Sequence, residues 1–280
     1  MDFSAQVILL VVFGGVTIVM ALETLWPLRV VSGTPLWRWL NNMALTATDI
    51  AVMLGVGPWL SLLLMQLVGS ERSGLLGDIQ AGSWVTFLVL LLSLQFTEYW
   101  LHRAMHAIPV LWRIHVVHHC DPEVDATTAF RHHPLEIIFS ALITLPVVAL
   151  LMPDPLMLLG YNVLHSVVAV INHGNITFGP RLDRVLRLLV VTPDFHRLHH
   201  STGQHYTDSN YSTILPLFDY VFKTSTYLPT LQQKTMQLGL TYFRGKEYSR
   251  LVKLLLIPFL RGFGKSHLRN MSNPGGPERE

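Results

Sequence analysis

The chain has 280 residues, of which 50% are hydrophobic and only 14% charged, with a mean hydropathy of +0.40. Soluble domains carry about a quarter charged residues, so this composition points to a membrane protein. A net charge of +2 gives no electrostatic case for nucleic acid, and the single cysteine, Cys120, excludes an internal disulfide framework and a cysteine-based zinc ribbon.

Five stretches approach the ~20 apolar residues needed to cross a bilayer: residues 5–22, 50–68, 82–101, 135–152 and 155–171. The opening MDFSAQ lacks the basic segment of a secretory signal, so the first stretch reads as a retained anchor. The fourth and fifth are joined only by Pro153 and Asp154, which reads as a tight helical hairpin.

Basic residues between the spans set the orientation. Arg29 and Arg38 follow the first span, and Arg72 stands beside Glu71 after the second. Arg103, Arg113 and Arg131 follow the third, the hairpin tip has no basic residue, and Arg181, Arg184, Arg187 and Arg197 follow the fifth. The expected topology puts the N-terminus outside. The first loop, the histidine-rich regions and the C-terminus then lie in the cytoplasm.

The expected fold class is an all-α integral membrane protein. It has four to five transmembrane or hairpin helices and a cytoplasmic, histidine-rich helical cap. The expected divisions are N-terminal spans at 1–81, a catalytic domain at 82–225, a C-terminal segment at 226–267 and a disordered tail at 268–280. Within the third division, residues 244–267 mix basic and apolar side chains, as in a helix lying on anionic lipid or one more packing helix.

Thirteen of the fourteen histidines fall between His102 and His205, and eight of them form three clusters. These read HRAMH (His102, His106), HVVHH (His115, His118, His119) and HRLHH (His196, His199, His200). Spacings of three and four share a helix face, so each cluster can aim its imidazoles at one point. Imidazole suits iron, zinc, copper and nickel, and eight ligands exceed the needs of one ion. Two metals in an all-nitrogen site attached to a membrane suggest oxygen chemistry on a lipid.

His173 and His133 are expected to add further ligands, whereas His165 is not, and His132, His205 and His267 look peripheral. Glu98, one turn before His102, is expected to accept the N–H of a ligating histidine from the second shell, and Asp194 is expected to do the same for the third cluster. Asp208, Asn210 and Asp219 are natural partners of the same kind. No H-E-x-x-H, G-x-S-x-G, Walker or G-x-G-x-x-G motif occurs, which argues against zincin, hydrolase, nucleotide and on-board nicotinamide or flavin chemistry. Magnesium and calcium prefer oxygen ligands and fit poorly.

Residues 85–225 resemble the fatty acid hydroxylase/sterol desaturase superfamily, and its bacterial branch most closely. The likeness rests on EYWLHRAMH, PVLWRIHVVHHCDPEVDATTAFRHHPLE, NHGNI, TPDFHRLHHS, DSNYS and LFDYVFKT. Two positions depart from the family pattern: Ser212 stands where a glycine is usual and Phe218 where a tryptophan is usual.

The resemblance implies a membrane-bound di-iron oxygenase of a bacterial inner membrane, with its catalytic face in the cytoplasm. It would use O2 as co-substrate and hydroxylate or desaturate a lipid or sterol-like substrate. The ligands carried over are His102, His106, His115, His118, His119, His196, His199 and His200, with His133 and His173 at further family positions. Electrons would come from a separate donor, a ferredoxin, cytochrome or reductase, because no haem or flavin motif is present. Recombinant protein could carry zinc in place of iron. A metal-binding or transport protein and a non-catalytic scaffold are the competing readings. Transport would spread ionisable residues through the membrane depth, and a scaffold would have lost ligands; neither pattern is seen.

Overall fold

The structure is a computed structural model, described here for residues 3–31, 35–68, 74–78 and 82–260, with side chains described from residue 14 onward in the first helix apart from Val11. The expectations for Glu71, Arg72, His267 and the tail at 268–280 lie outside the described residues. Among the described residues the chain is helical, without strands, and one isolated bridge joins Ser201 to Leu238.

Four helices are long and apolar enough to cross a membrane: α2 (Leu36–Val68), α4 (Ser83–Ala107), α6 (Pro134–Leu151) and α7 (Pro155–His173), with α1 (Phe3–Leu25) and the five-residue α3 (Gly74–Asp78) preceding α2 and α4 respectively. The chain is therefore an all-α integral membrane protein. The apolar part of α1 with described residues runs only over Gly14–Leu25.

Helix α2 starts fourteen residues before the expected span at residue 50. Its 33 residues extend about 50 Å at 1.5 Å each, well beyond a ~30 Å hydrocarbon core. The first turns carry Arg38, Asn41 and Asn42, which are buried against protein rather than lipid. Arg38 pairs with Asp121 at 2.8 Å and with Asp125, and Asn42 donates to Thr127 at 2.8 Å. Trp39 donates its indole N–H to Asp125 at 2.7 Å. The polar start of α2 thus grips the loop that follows the second histidine cluster.

The hairpin between α6 and α7 turns at Met152, whose backbone is left-handed (φ 46°), and Asp154 caps α7 by accepting from the Leu156 and Met157 amides. Gly74 at the start of α3 packs against this turn: a Cβ there would lie 2.4 Å from that of Met152.

The cap is built from short helices. These are α5 (Pro109–His119), a 3-10 turn at Ala126–Phe130, α8 (Pro180–Leu186), α9 (Pro193–His199), α10 (Gln204–Thr207), α11 (Leu217–Val221) and α12 (Thr230–Gln233). The expected helix over 244–267 is broken, in its described part, into a 3-10 turn at Lys246–Ser249, α13 (Leu251–Leu256) and a second 3-10 turn at Ile257–Phe259. Leu254 and Ile257 are fully buried in a cluster with Leu45, Trp112, Val116 and Val117, while Val252 and Phe259 stay exposed. This segment clamps α5 from behind.

Candidate metal centre

Local chain breaks aim the histidines. Helix α4 ends where Ile108 takes an extended conformation (φ −98°, ψ 120°), because Pro109 disfavours a helical residue before it and then occupies the first turn of α5. The redirected α5 brings His115 Nε2 to 3.1 Å from His102 Nε2, and His119 Nε2 to 3.1 Å from His106 Nε2. Thr192 caps α9 through the Phe195 amide, and Pro193 occupies its first turn.

The H-x-x-H-H motif then splits. At 100° per residue its first and last histidines lie about 40° apart on the helix, and the fourth sits some 60° to the other side. In α5, His115 and His119 point to one group and His118 to another; at α9, His196 and His200 share a group and His199 crosses over. The result is a five-histidine group (His102, His106, His115, His119, His199) and a four-histidine group (His118, His173, His196, His200). Within each, one nitrogen per ring lies within 4.8 Å of all the others. His199 Nε2 is 2.9 Å from His102 Nε2; His173 Nε2 is 3.3 Å from His118 Nε2 and 3.0 Å from His196 Nε2.

The outer ring nitrogens decide what the inner ones are. His102 Nδ1 donates to the Tyr211 carbonyl and His199 Nδ1 to the Ser209 carbonyl, both at 2.7 Å. A carbonyl only accepts, so each neutral ring carries its proton on Nδ1 and leaves a bare lone pair on Nε2. Two bare nitrogens 2.9 Å apart cannot form a hydrogen bond. A shared cation would turn their repulsion into coordination.

His115 Nδ1 donates to Glu136 at 2.8 Å, His173 Nδ1 to the Ala169 carbonyl at 2.7 Å, and His106 Nδ1 lies 3.3 Å from Asp208. Nδ1 of His118, His119, His196 and His200 has no hydrogen-bond partner. Burial pushes His118, His119, His196, His199 and His200 well below the usual imidazole pKa, and neighbouring imidazoles push the same way, so these rings are neutral and free of the proton that would block a metal. The donor set fits two transition-metal ions and not a hard, oxygen-seeking cation.

All eight clustered histidines and His173 converge. Other expected site residues do not join them. His133 caps α6, its Nδ1 accepting from the Leu135 amide at 3.1 Å and its Nε2 facing the Leu255 carbonyl at 3.2 Å, so both ring nitrogens are engaged elsewhere. Glu98 touches none of the nine. One turn deeper on α4, it accepts from Gln95 at 2.7 Å and Tyr161 at 2.8 Å and lies 3.3 Å from His165. Asp194 also touches no histidine: it accepts from Arg197 at 2.9 Å and from the hydroxyls of Thr177 and Thr230.

Arg197 is fully buried and reaches the Gly174 and Ile176 carbonyls, so Asp194 secures α9 to the loop beyond His173. Asp219 accepts from the Tyr211 and Ser212 amides, both at 2.9 Å, and so holds the carbonyl that anchors His102. In that loop the left-handed residue is Asn210 (φ 53°), a type that tolerates it, so serine in place of glycine at 212 adds no backbone strain. Phe218 packs edge-on against Phe96, 5.5 Å between ring centres.

Glu136 escapes the sequence reading, and His132, expected to be peripheral, instead lies against the histidine groups. Glu136 accepts from both His115 and His132, the latter at 2.9 Å, and His132 stacks on His118 (4.7 Å between centres, 8° between planes). The signal available for them was the four-residue spacing of His132 and Glu136 at the head of an apolar helix.

Fold and site together define an integral membrane protein built around paired histidine groups that fit metal. Residues 87–224 match the family model described as fatty acid hydroxylase, and through this stretch the chain belongs to that superfamily. It is 30% identical over 143 residues to an alkylglycerol monooxygenase of Homo sapiens, covering 50% of this chain and 30% of the relative. It is 29% identical over 163 residues to that of Xenopus tropicalis (57% and 33%), and 30% identical over 139 residues to a very-long-chain aldehyde decarbonylase of Oryza sativa subsp. indica (47% and 21%). The chain thus spans about a third or less of the length of these relatives. The matches identify the superfamily and not a bacterial branch of it. No solved structure matches the chain significantly.

Proposed function

We propose that this protein is a membrane-bound, non-haem di-iron oxygenase that hydroxylates or desaturates an unactivated C–H bond of a lipid or sterol-like substrate. The observation that carries this reading is the position of the histidines: they close one end of a cavity of about 390 Å³ lying between the spanning helices α4, α6 and α7. Leu101, Met105, Phe130 and Ile137 line it beside His102, His118 and His173. The relatives named as monooxygenase and decarbonylase support lipid chemistry of this class.

The five-histidine group would hold one iron and the four-histidine group the other. Bound iron supplies the activation of O2 and removal of hydrogen from an alkane carbon, which no side chain can perform. The rest is the work of the chain. Apolar walls lead an acyl or ring system from the bilayer to the histidines and hold it there. His106, His119, His199 and His200 are almost wholly buried, so the cap keeps bulk water out from its own side. Glu136 fixes His115 and keeps His132 stacked at the cavity wall.

Electrons come from a separate donor protein, and the basic residues of the loops support a cytoplasmic position for this face. The test is iron content per chain of detergent-purified protein from iron-supplemented cells, beside His118→Ala. About two irons per chain, reduced in the variant, is the expected result, followed by added oxygen or lost hydrogen in extracted lipids. Metal absent, or unchanged by the substitution, overturns the reading.

A further inference from the structure

Glu98 on α4 and His165 on α7 line the same cavity but take no part in the histidine groups. By helix rise Glu98 lies about 6 Å deeper along α4 than His102, and His165 about 12 Å deeper along α7 than His173. His165 Nε2 is 3.3 Å from Glu98 Oε2, although the two residues come from different helices.

The carboxylate is held by a built network. Gln95 donates to Glu98 Oε2 and also to the Tyr161 hydroxyl, which in turn donates to Glu98 Oε1. Gln95 Oε1 accepts from the Ile214 and Leu215 amides, tying the network to the loop after the third histidine cluster. Gln95 and Tyr161 are buried, whereas the Glu98 and His165 side chains are 22% and 35% exposed. Ser166, beside His165, lines the cavity as well.

A slot for plain hydrocarbon needs no polar wall, and a carboxylate and an imidazole at membrane depth cost free energy. A ligand whose own polar group enters the slot offsets that cost. A hydroxyl matches the pair, since it can donate to the carboxylate while exchanging a hydrogen bond with the imidazole. Resting on the oxygenase reading, we infer that Glu98 and His165 form a polar anchor for the hydroxyl of an alcohol-bearing lipid. The anchor holds that hydroxyl away from the histidines, so that hydrocarbon lies against them.

The test equilibrates detergent-purified, iron-reconstituted protein with 1-hexadecanol and n-hexadecane together. Bound lipid is quantified by mass spectrometry against protein-free micelles, and iron is measured on the same samples. Wild type is expected to favour the alcohol roughly 10-fold, the value of a hydrogen bond to a charged group. His165→Leu is expected to lose that preference with iron unchanged, and His165→Gln, which keeps a donor and an acceptor, to retain most of it. No preference in the wild type, or an undiminished one in His165→Leu, overturns the anchor. Alcohol preference without bound iron instead overturns the oxygenase reading and leaves the anchor standing.

Discussion

The two histidine groups use the same ligand and are held in different ways. In the five-histidine group, four outer nitrogens face a carbonyl or carboxylate: Tyr211, Ser209, Glu136 and Asp208. In the four-histidine group only His173 has such an anchor, while the outer nitrogens of His118, His196 and His200 have none. The first group is therefore oriented by hydrogen bonds that also set its tautomers. The second is oriented by the rigidity of the elements that carry it, namely α5 pressed by the 3-10 turn at Ile257–Phe259, and α9 pinned through Arg197. Identical ligands can thus be tuned apart by what lies behind them.

Three substitutions and one change of pH test this contrast, the substitutions in falling order of effect. Asp194→Ala strips Arg197 of its carboxylate while it stays buried, which costs about 3–5 kcal/mol. A fall in thermal stability of that order is expected, with metal lost first from the four-histidine group. Equal loss from both groups would show that α9 does not support them unequally. Glu136→Gln removes the charged partner of His115 and His132 and should weaken metal binding in the five-histidine group by about 10–100-fold, read by chelator competition. An unchanged affinity would mean that packing alone orients His115.

The third perturbation is pH. The folded state holds His118, His119, His196, His199 and His200 neutral, whereas the unfolded chain protonates them below about 6.5. The unfolded state then binds more protons, so stability is full above about pH 6.5 and falls as pH drops below it. The slope is about 1.4 kcal/mol per pH unit for each such group. Melting of metal-free protein in detergent between pH 7.5 and 5.5 reads this; a flat profile would contradict it. The smallest effect is expected of His133→Ala. Loss of a helix cap costs about 1 kcal/mol. Metal stoichiometry should remain that of the wild type, and a lost metal would return His133 to the ligand set.

Much of this was legible in the chain itself. Apolar length reveals spanning helices because a bilayer imposes a fixed minimum, and the spacing of His102 with His106, or of His196 with His200, reveals a shared face because the helix has a fixed turn. Outer partners were less legible. Glu98 shares a face with His102, yet its carboxylate is taken up by Gln95 on its own helix and by Tyr161 and His165 across the bundle on α7. Asp194 sits beside the third cluster in sequence but turns to Arg197. The anchors that do hold His102 and His199 are backbone carbonyls, which every residue has and no residue type announces.

The sequence by itself determined the membrane setting, the helical class and the histidines able to bind metal, because hydropathy and helical periodicity act over a few residues at a time. Only the tertiary structure decided the division into groups of five and four, the exclusion of His133, and the pairing of Glu98 with His165. Those depend on the break at Ile108 and Pro109, the capping of α9 and the packing of α4 against α7, where residues far apart in the chain meet within 3–4 Å.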